Sequence, residues 1–227
     1  MSDLTRTWLE ALRDFFDHGA SDLKTPLNTI LHLSNELCND KNLTENQQEK
    51  VNHIYASSQI LQGVINDFLL LGQLETGVRR ANIEPVDLHD LLHKEWVERV
   101  LSNFSEKTIN TSIYLASDLP LVQADKIGLK QAIARCVTLD SKIDRVDIVG
   151  EQDGKWVNLS FISYPCQLYP LEIDAVENFQ KYKTFNVRMS LIIASLLIQA
   201  VNGQFTLENI DSEKVCATIS LPIIAVQ

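Results

Sequence analysis

Apolar residues recur at helical intervals from Leu4 to Leu37, taking in Leu9, Leu12, Phe16, Leu23, Leu27, Ile30 and Leu31. This predicts one long helix, which a polar turn over 39–42 ends. A second helix is expected from Thr44, whose hydroxyl can cap it with Gln47 three residues on. It runs through Val51, Ile54, Leu61 and Phe68 to a stop at Gly77. Two antiparallel helices of this length make a hairpin that cannot bury its apolar stripe alone. The stripe therefore predicts a homodimer closed as a four-helix bundle, with Leu27, Leu31, Ile54, Leu61 and Phe68 at its interface.

Beyond Arg80 the pattern changes. A short extended segment over 83–86 leads to a helix over 88–103, a strand over 111–116 and a helix over 126–142. A hairpin is expected to turn at Asp153-Gly154, followed by helices near 172–182 and 187–201 and by two closing strands, 203–209 and 215–223. This is a mixed α plus β order and not a βαβ series, so the expected fold class is α+β with domains at 1–80 and 82–227.

Composition narrows the function classes. The chain has 227 residues, 45% hydrophobic and 22% charged, enough for two small packed domains. Its net charge of -10 argues against a nucleic-acid or anionic-membrane surface. Cys38, Cys136, Cys166 and Cys216 lie far apart among apolar neighbours, which favours buried reduced thiols over disulfides or a metal site. The opening residues lack an uninterrupted apolar core, and the greasy run at 189–201 is too short to span a bilayer, so a cytoplasmic location is expected.

The chemistry centres on 20–27, "ASDLKTPL". Together with "VINDFLLLGQLETG" at 64–77 and "IEPVDLHDLL" at 83–92, this stretch resembles the transmitter core of sensor histidine kinases. The resemblance implies a phosphoacceptor hairpin followed by an ATPase-like α/β two-layer sandwich. It puts Ser21 where the family carries its phosphorylated histidine. His18, three residues earlier, is the nearest imidazole and a weak acceptor candidate; His89 and His93, spaced i and i+4, read as a helix surface and not a metal site. Asp22 and Thr25 retain the side-chain types that assist transfer and orient water against a partner's aspartyl phosphate in the family.

The same resemblance, laid over the second domain, places the magnesium-binding amides at Arg135 and Leu139, and a leucine offers no oxygen to a hard cation. Lys142 falls at a phosphate-contacting position but reads as solvated surface. The adenine-reading aspartate and glycines fall in "ISYPCQLYP" at 162–170, which contains neither. In "NVRMSL" Asn186, Arg188 and Ser190 replace the glycines of a phosphate cradle, and 179–184 is too short for a nucleotide lid. No cofactor and no metal are expected. The resemblance implies a non-catalytic, histidine-kinase-like homodimer that binds a response regulator or a true histidine kinase through His18, Ser21, Asp22 and Thr25. A phosphatase working through Asp22 and Thr25, or a phosphotransferase using His18, are the enzymatic alternatives.

Overall fold

The computed structural model describes Phe16 and residues 20–104, 107–140, 142–168, 173 and 189–224. The chain divides into two compact units, Met1–Arg80 and Ala81–Gln227.

The first unit is a helical hairpin of α1, Ala20–Cys38, and α2, Glu45–Glu75. Thr44 caps α2 as expected: its hydroxyl accepts from the Gln47 N–H, while the Gln47 side chain returns to the Thr44 N–H at 2.9 Å. Two polar links set the antiparallel register. Gln62 Nε2 donates to Asn28 Oδ1 at 3.1 Å, and the Cys38 thiol donates to Asn52 Oδ1 at 3.2 Å. The seam is closed by Leu27 and Ser34 from α1 and by Val51, Ser58 and Leu69 from α2, all buried. Farther along α2, Gly72 leaves room for the Phe16 ring, where any β-carbon would collide. Gln73 Nε2 donates to the Phe16 carbonyl at 3.1 Å.

The second unit is α+β. A small antiparallel ladder pairs β1, Ile83–Val86, with β3, Val122–Asp125. The main sheet has five strands in the order β2-β4-β5-β7-β6: Asn110–Leu115, Arg145–Asp153, Trp156–Tyr164, Val215–Pro222 and Gln204–Asn209. β2 runs parallel to β4, and the other neighbours are antiparallel. Its apolar face, with Ile148, Leu159, Phe161 and Ile219 fully buried, lies against α5, Lys126–Val137, and α6, Met189–Gln199. The greasy run at 189–201 is thus a core helix. No helix among the described residues is long and apolar enough to cross a membrane.

Three expectations need correction. The helix expected over 88–103 is two helices, α3 Leu88–Leu91 and α4 Lys94–Phe104. The buried residues of the first stretch, Leu88, Leu91 and Leu92, are out of phase with Val97 and Leu101, so a continuous helix could not bury both sets. His89 and His93 therefore do not share a helix; His89 Nε2 lies 3.1 Å from the Ala116 carbonyl oxygen, while the His93 carbonyl accepts from Trp96 and Val97 at the start of α4. The helix expected over 126–142 stops at Val137, where the Thr138 hydroxyl donates to the Ala134 carbonyl. A turn follows in which Asp140 accepts from the Lys142 N–H, and it carries Leu139 and Ile143 into the core. Third, strand β3 was not anticipated. The helix expected near 172–182 falls almost wholly outside the described residues.

Of the four cysteines, Cys136, Cys166 and Cys216 are buried free thiols, whereas Cys38 is only half-buried, at the end of α1.

Candidate functional site

In the hairpin, Asp22 and Thr25 lie on α1 three residues apart, both exposed, and therefore on neighbouring positions of one helix face. Pro26 has no N–H, so the Asp22 carbonyl receives no helical donor from that position. One turn on, the Thr29 hydroxyl donates to the Thr25 carbonyl at 3.1 Å. Ser21 belongs to the same first turn of α1. His18 lies outside the described residues, as do Asn186, Arg188 and the segment 179–184.

Beside this polar face runs an apolar one that the hairpin leaves uncovered. In the register set by Asn28 with Gln62 and Cys38 with Asn52, Leu23 stands level with Phe68, Ile30 with Leu61, and Leu37 with Ile54, each to within a turn. These six side chains keep 39% to 52% of their surface exposed, whereas Leu27 keeps 4%. Their spacing is seven residues on both helices, the repeat of a helix–helix seam. The residues expected at the interface, Leu27, Leu31, Ile54, Leu61 and Phe68, differ in exposure. Ile54, Leu61 and Phe68 belong to the open layers, but Leu27 points into the hairpin's own seam and Leu31 is half-buried. The open positions on α1 are Leu23, Ile30 and Leu37, which the count of apolar residues alone does not separate from Leu27 and Leu31.

In the second unit the resemblance assigns magnesium and nucleotide to Arg135, Leu139, Lys142, the stretch 162–170 and Ser190. Leu139 is buried beyond the end of α5, so it does not share a helix face with Arg135, whose Nη1 donates back to the Gln131 carbonyl. Within "ISYPCQLYP" Ser163 is wholly buried near the end of β5 and its hydroxyl has no hydrogen-bond partner among the described residues. It carries no carboxylate for an adenine amine. The loop that follows is tied down by its own chain. Leu168 is buried; its N–H donates to Asn209 Oδ1 at 3.0 Å, and Asn209 Nδ2 donates to its carbonyl at 2.8 Å. The Cys166 N–H donates to the Glu213 carbonyl at 2.9 Å. Ser190 sits half-buried in the first turn of α6, and Lys142 is exposed. At the described positions assigned to the magnesium amides, Leu139 offers no oxygen to a hard cation and Arg135 is itself a cation. The Asn209 clamp had no signal in the sequence, since an asparagine that pairs with a backbone 41 positions away looks like any strand-end asparagine.

No cluster of three or more metal-ligating side chains occurs among the described residues. Burial pushes the Cys136 thiol up, well above its ordinary range, which keeps it protonated and inert. Arg145 and Asp147 form a two-pronged pair on β4, with both contacts at 2.8 Å. That pairing holds the guanidinium above its already high value.

Residues 11–77 match the family model of the His Kinase A (phospho-acceptor) domain. Over nearly the whole chain the fold superimposes on full-length ShkA, crystallised in complex with AMPPNP. The TM-score is 0.72 at 23% identity, covering 94% of this chain and 47% of ShkA. The architecture is that of a histidine kinase transmitter core. The Acinetobacter baumannii histidine kinase AdeS has it too, with a TM-score of 0.60 at 18% identity, covering 89% of this chain and 98% of that structure. The Sensor protein DivL of Caulobacter vibrioides is 27% identical over 125 residues, 55% of this chain. The chain spans 16% of DivL and about half of ShkA.

Proposed function

We propose that this chain is a non-catalytic, histidine-kinase-like protein of bacterial two-component signalling that acts in the cytoplasm. It forms a homodimer through the open layers of its hairpin and binds a response regulator or a true histidine kinase through the face around Asp22 and Thr25. One contrast carries the reading: the hairpin keeps an exposed polar face beside an open apolar seam, while Leu139, Ser163 and the clamped Leu168 stand where the resemblance puts the nucleotide ligands. The boundary between dimerisation hairpin and ATPase-like domain is placed near residue 81. Thr25 adds a second activity to test, since its exposed hydroxyl can place a water against a partner's aspartyl phosphate without using ATP.

The experiment has two arms. Calorimetry of the full chain with magnesium-ATP should give no binding heat at concentrations of about 100 μM, and micromolar affinity would overturn the non-catalytic part. In the second arm, receiver domains from the source cell are screened for binding, and the best binder is measured against Asp22→Arg. Reversal of a charge at the contact should weaken binding about tenfold or more with helix content unchanged. Equal affinity for the variant would refute docking on this face. Thr25→Ala should leave that affinity near the parent value, and loss of receiver dephosphorylation in this variant alone would establish the phosphatase activity.

A further inference from the structure

The hairpin seam contains one polar level. Ser34 and Ser58 are both buried, on opposite helices, and the register of the hairpin sets them level to within a turn. Among the described residues neither hydroxyl bonds across to the other helix. Ser34 Oγ donates to its own helix, at 2.6 Å to the Ile30 carbonyl and 3.1 Å to the Leu31 carbonyl. Ser58 Oγ does the same, at 2.7 Å to the Ile54 carbonyl.

Each of those carbonyls four residues back is also the acceptor that the helix assigns to the serine's own N–H, so hydroxyl and amide compete for one oxygen. Such back-bonding weakens and bends a helix locally, and here both helices have it at one level. Two hydroxymethyl groups also stand here in place of the paired aliphatic side chains that fill a normal seam. The interhelical links from Asn28 to Gln62 and from Cys38 to Asn52 bracket this level, one on each side. The helices are thus cross-linked above and below a level whose two hydroxyls, among the described residues, bond only within their own helices.

We infer that the Ser34/Ser58 level is a flex point of the hairpin, dividing a half that carries Asp22 and Thr25 from a half that carries the 39–44 turn. Opening at this level changes the tilt between the halves without separating the cross-linked ends. The inference does not depend on which partner the protein binds.

Hydrogen exchange of the intact chain tests it directly. The amides of Ser34 and Ser58 should exchange about fivefold or more faster than those of Leu27 and Val51, one heptad away on the same helices. The double variant Ser34→Ala/Ser58→Ala removes the competing hydroxyls and installs the better helix former. It should slow both amides about fivefold and raise the melting temperature. Ser34→Ala alone should slow the α1 amide more than the α2 amide. Serine amides as protected as those of Leu27 and Val51 would overturn the inference. So would a double variant that melts lower or exchanges at the parent rate, since a flex point stiffened by alanine cannot do either.

Discussion

The two units of this chain solve the burial problem in opposite ways. In the second unit the large apolar side chains of the sheet, among them Phe161, Leu159 and Ile219, are fully buried by helices of the same chain. The hairpin leaves Leu23, Ile30, Leu37, Ile54, Leu61 and Phe68 near half-exposed, in level pairs. A closed core is evidence of a self-sufficient fold, and a half-built one at seven-residue spacing is evidence of a missing second half. The contrast extends to polar groups. The hairpin presents Asp22 and Thr25 outward, whereas the loop after β5 spends its backbone on Asn209 and Glu213 of its own chain.

The largest effect should come from charging an open layer. Leu61→Lys puts an ammonium into the middle layer of both copies of the proposed dimer. Each lost leucine burial is worth about 2 kcal/mol and desolvating the charge adds to it, so the dimer should dissociate or the hairpin melt. Ile60 is more exposed still, yet it is off the seven-residue spacing of Ile54, Leu61 and Phe68, so Ile60→Lys should leave the association intact. Sedimentation at tens of micromolar reads both. Equal behaviour of the two variants would break the distinction between a seam and scattered apolar surface, and a monomeric parent protein would break the dimer itself.

A smaller effect should separate the units from the other side. Asn209→Ala removes both hydrogen bonds to Leu168 and leaves a buried backbone pair without partners. The expected loss is about 1–3 kcal/mol in the melting of the second unit, with faster exchange at the Leu168 amide and none at α1 or α2. Asn209→Asp keeps the acceptor for the Leu168 N–H and loses the donor, so it should fall between the parent and the alanine variant. If both variants melt like the parent, the loop is held by burial of Cys166 and Leu168 and not by the clamp.

How much of this was legible in the sequence follows from how local each signal is. The capping pair Thr44 and Gln47 lies within four residues, and the β4–β5 turn announces itself through Gly154, whose φ is +57°. Both were readable because the residues concerned contact their own neighbours in sequence. The split between α3 and α4 was missed because Leu91 and Leu92 look like continuation of a helix until the phase of Val97 and Leu101 is checked. β3 was missed because "VQAD" is short, and its partner β1 lies about forty residues away. The open layers were half legible. Spacing alone showed an apolar stripe, but only the register set by Asn28 and Cys38 told Leu23, Ile30 and Leu37 from the already buried Leu27. The docking face around Asp22 rests on motif resemblance, with its exposure now seen, and the clamp on Leu168 could not be read from sequence at all.

The smallest effect concerns acid, and it should fall on the second unit alone. Asp211, in the β6–β7 turn, accepts from the Glu213 N–H at 2.8 Å and lies 3.2 Å from the Lys214 ammonium. The Glu213 N–H, ahead of Lys214, holds its carboxyl below the ordinary value of 3.8. A carboxyl whose folded value is depressed stabilises the fold above its unfolded value and loses that contribution as pH falls through the folded one. The turn should therefore be intact from neutrality down to mildly acidic pH and loosen below about pH 4. Because Glu213 also offers its carbonyl to Cys166, loosening the turn should speed exchange at the Cys166 amide while Asn28 and Gln62 in the hairpin are unaffected. A carbon-detected NMR titration of Asp211 checks the sign, and Lys214→Ala should shift its midpoint only part of the way back, since the backbone N–H remains. An Asp211 midpoint at or above the ordinary value would show that the turn does not grip its carboxylate, and would remove the link between acid and the loop after β5.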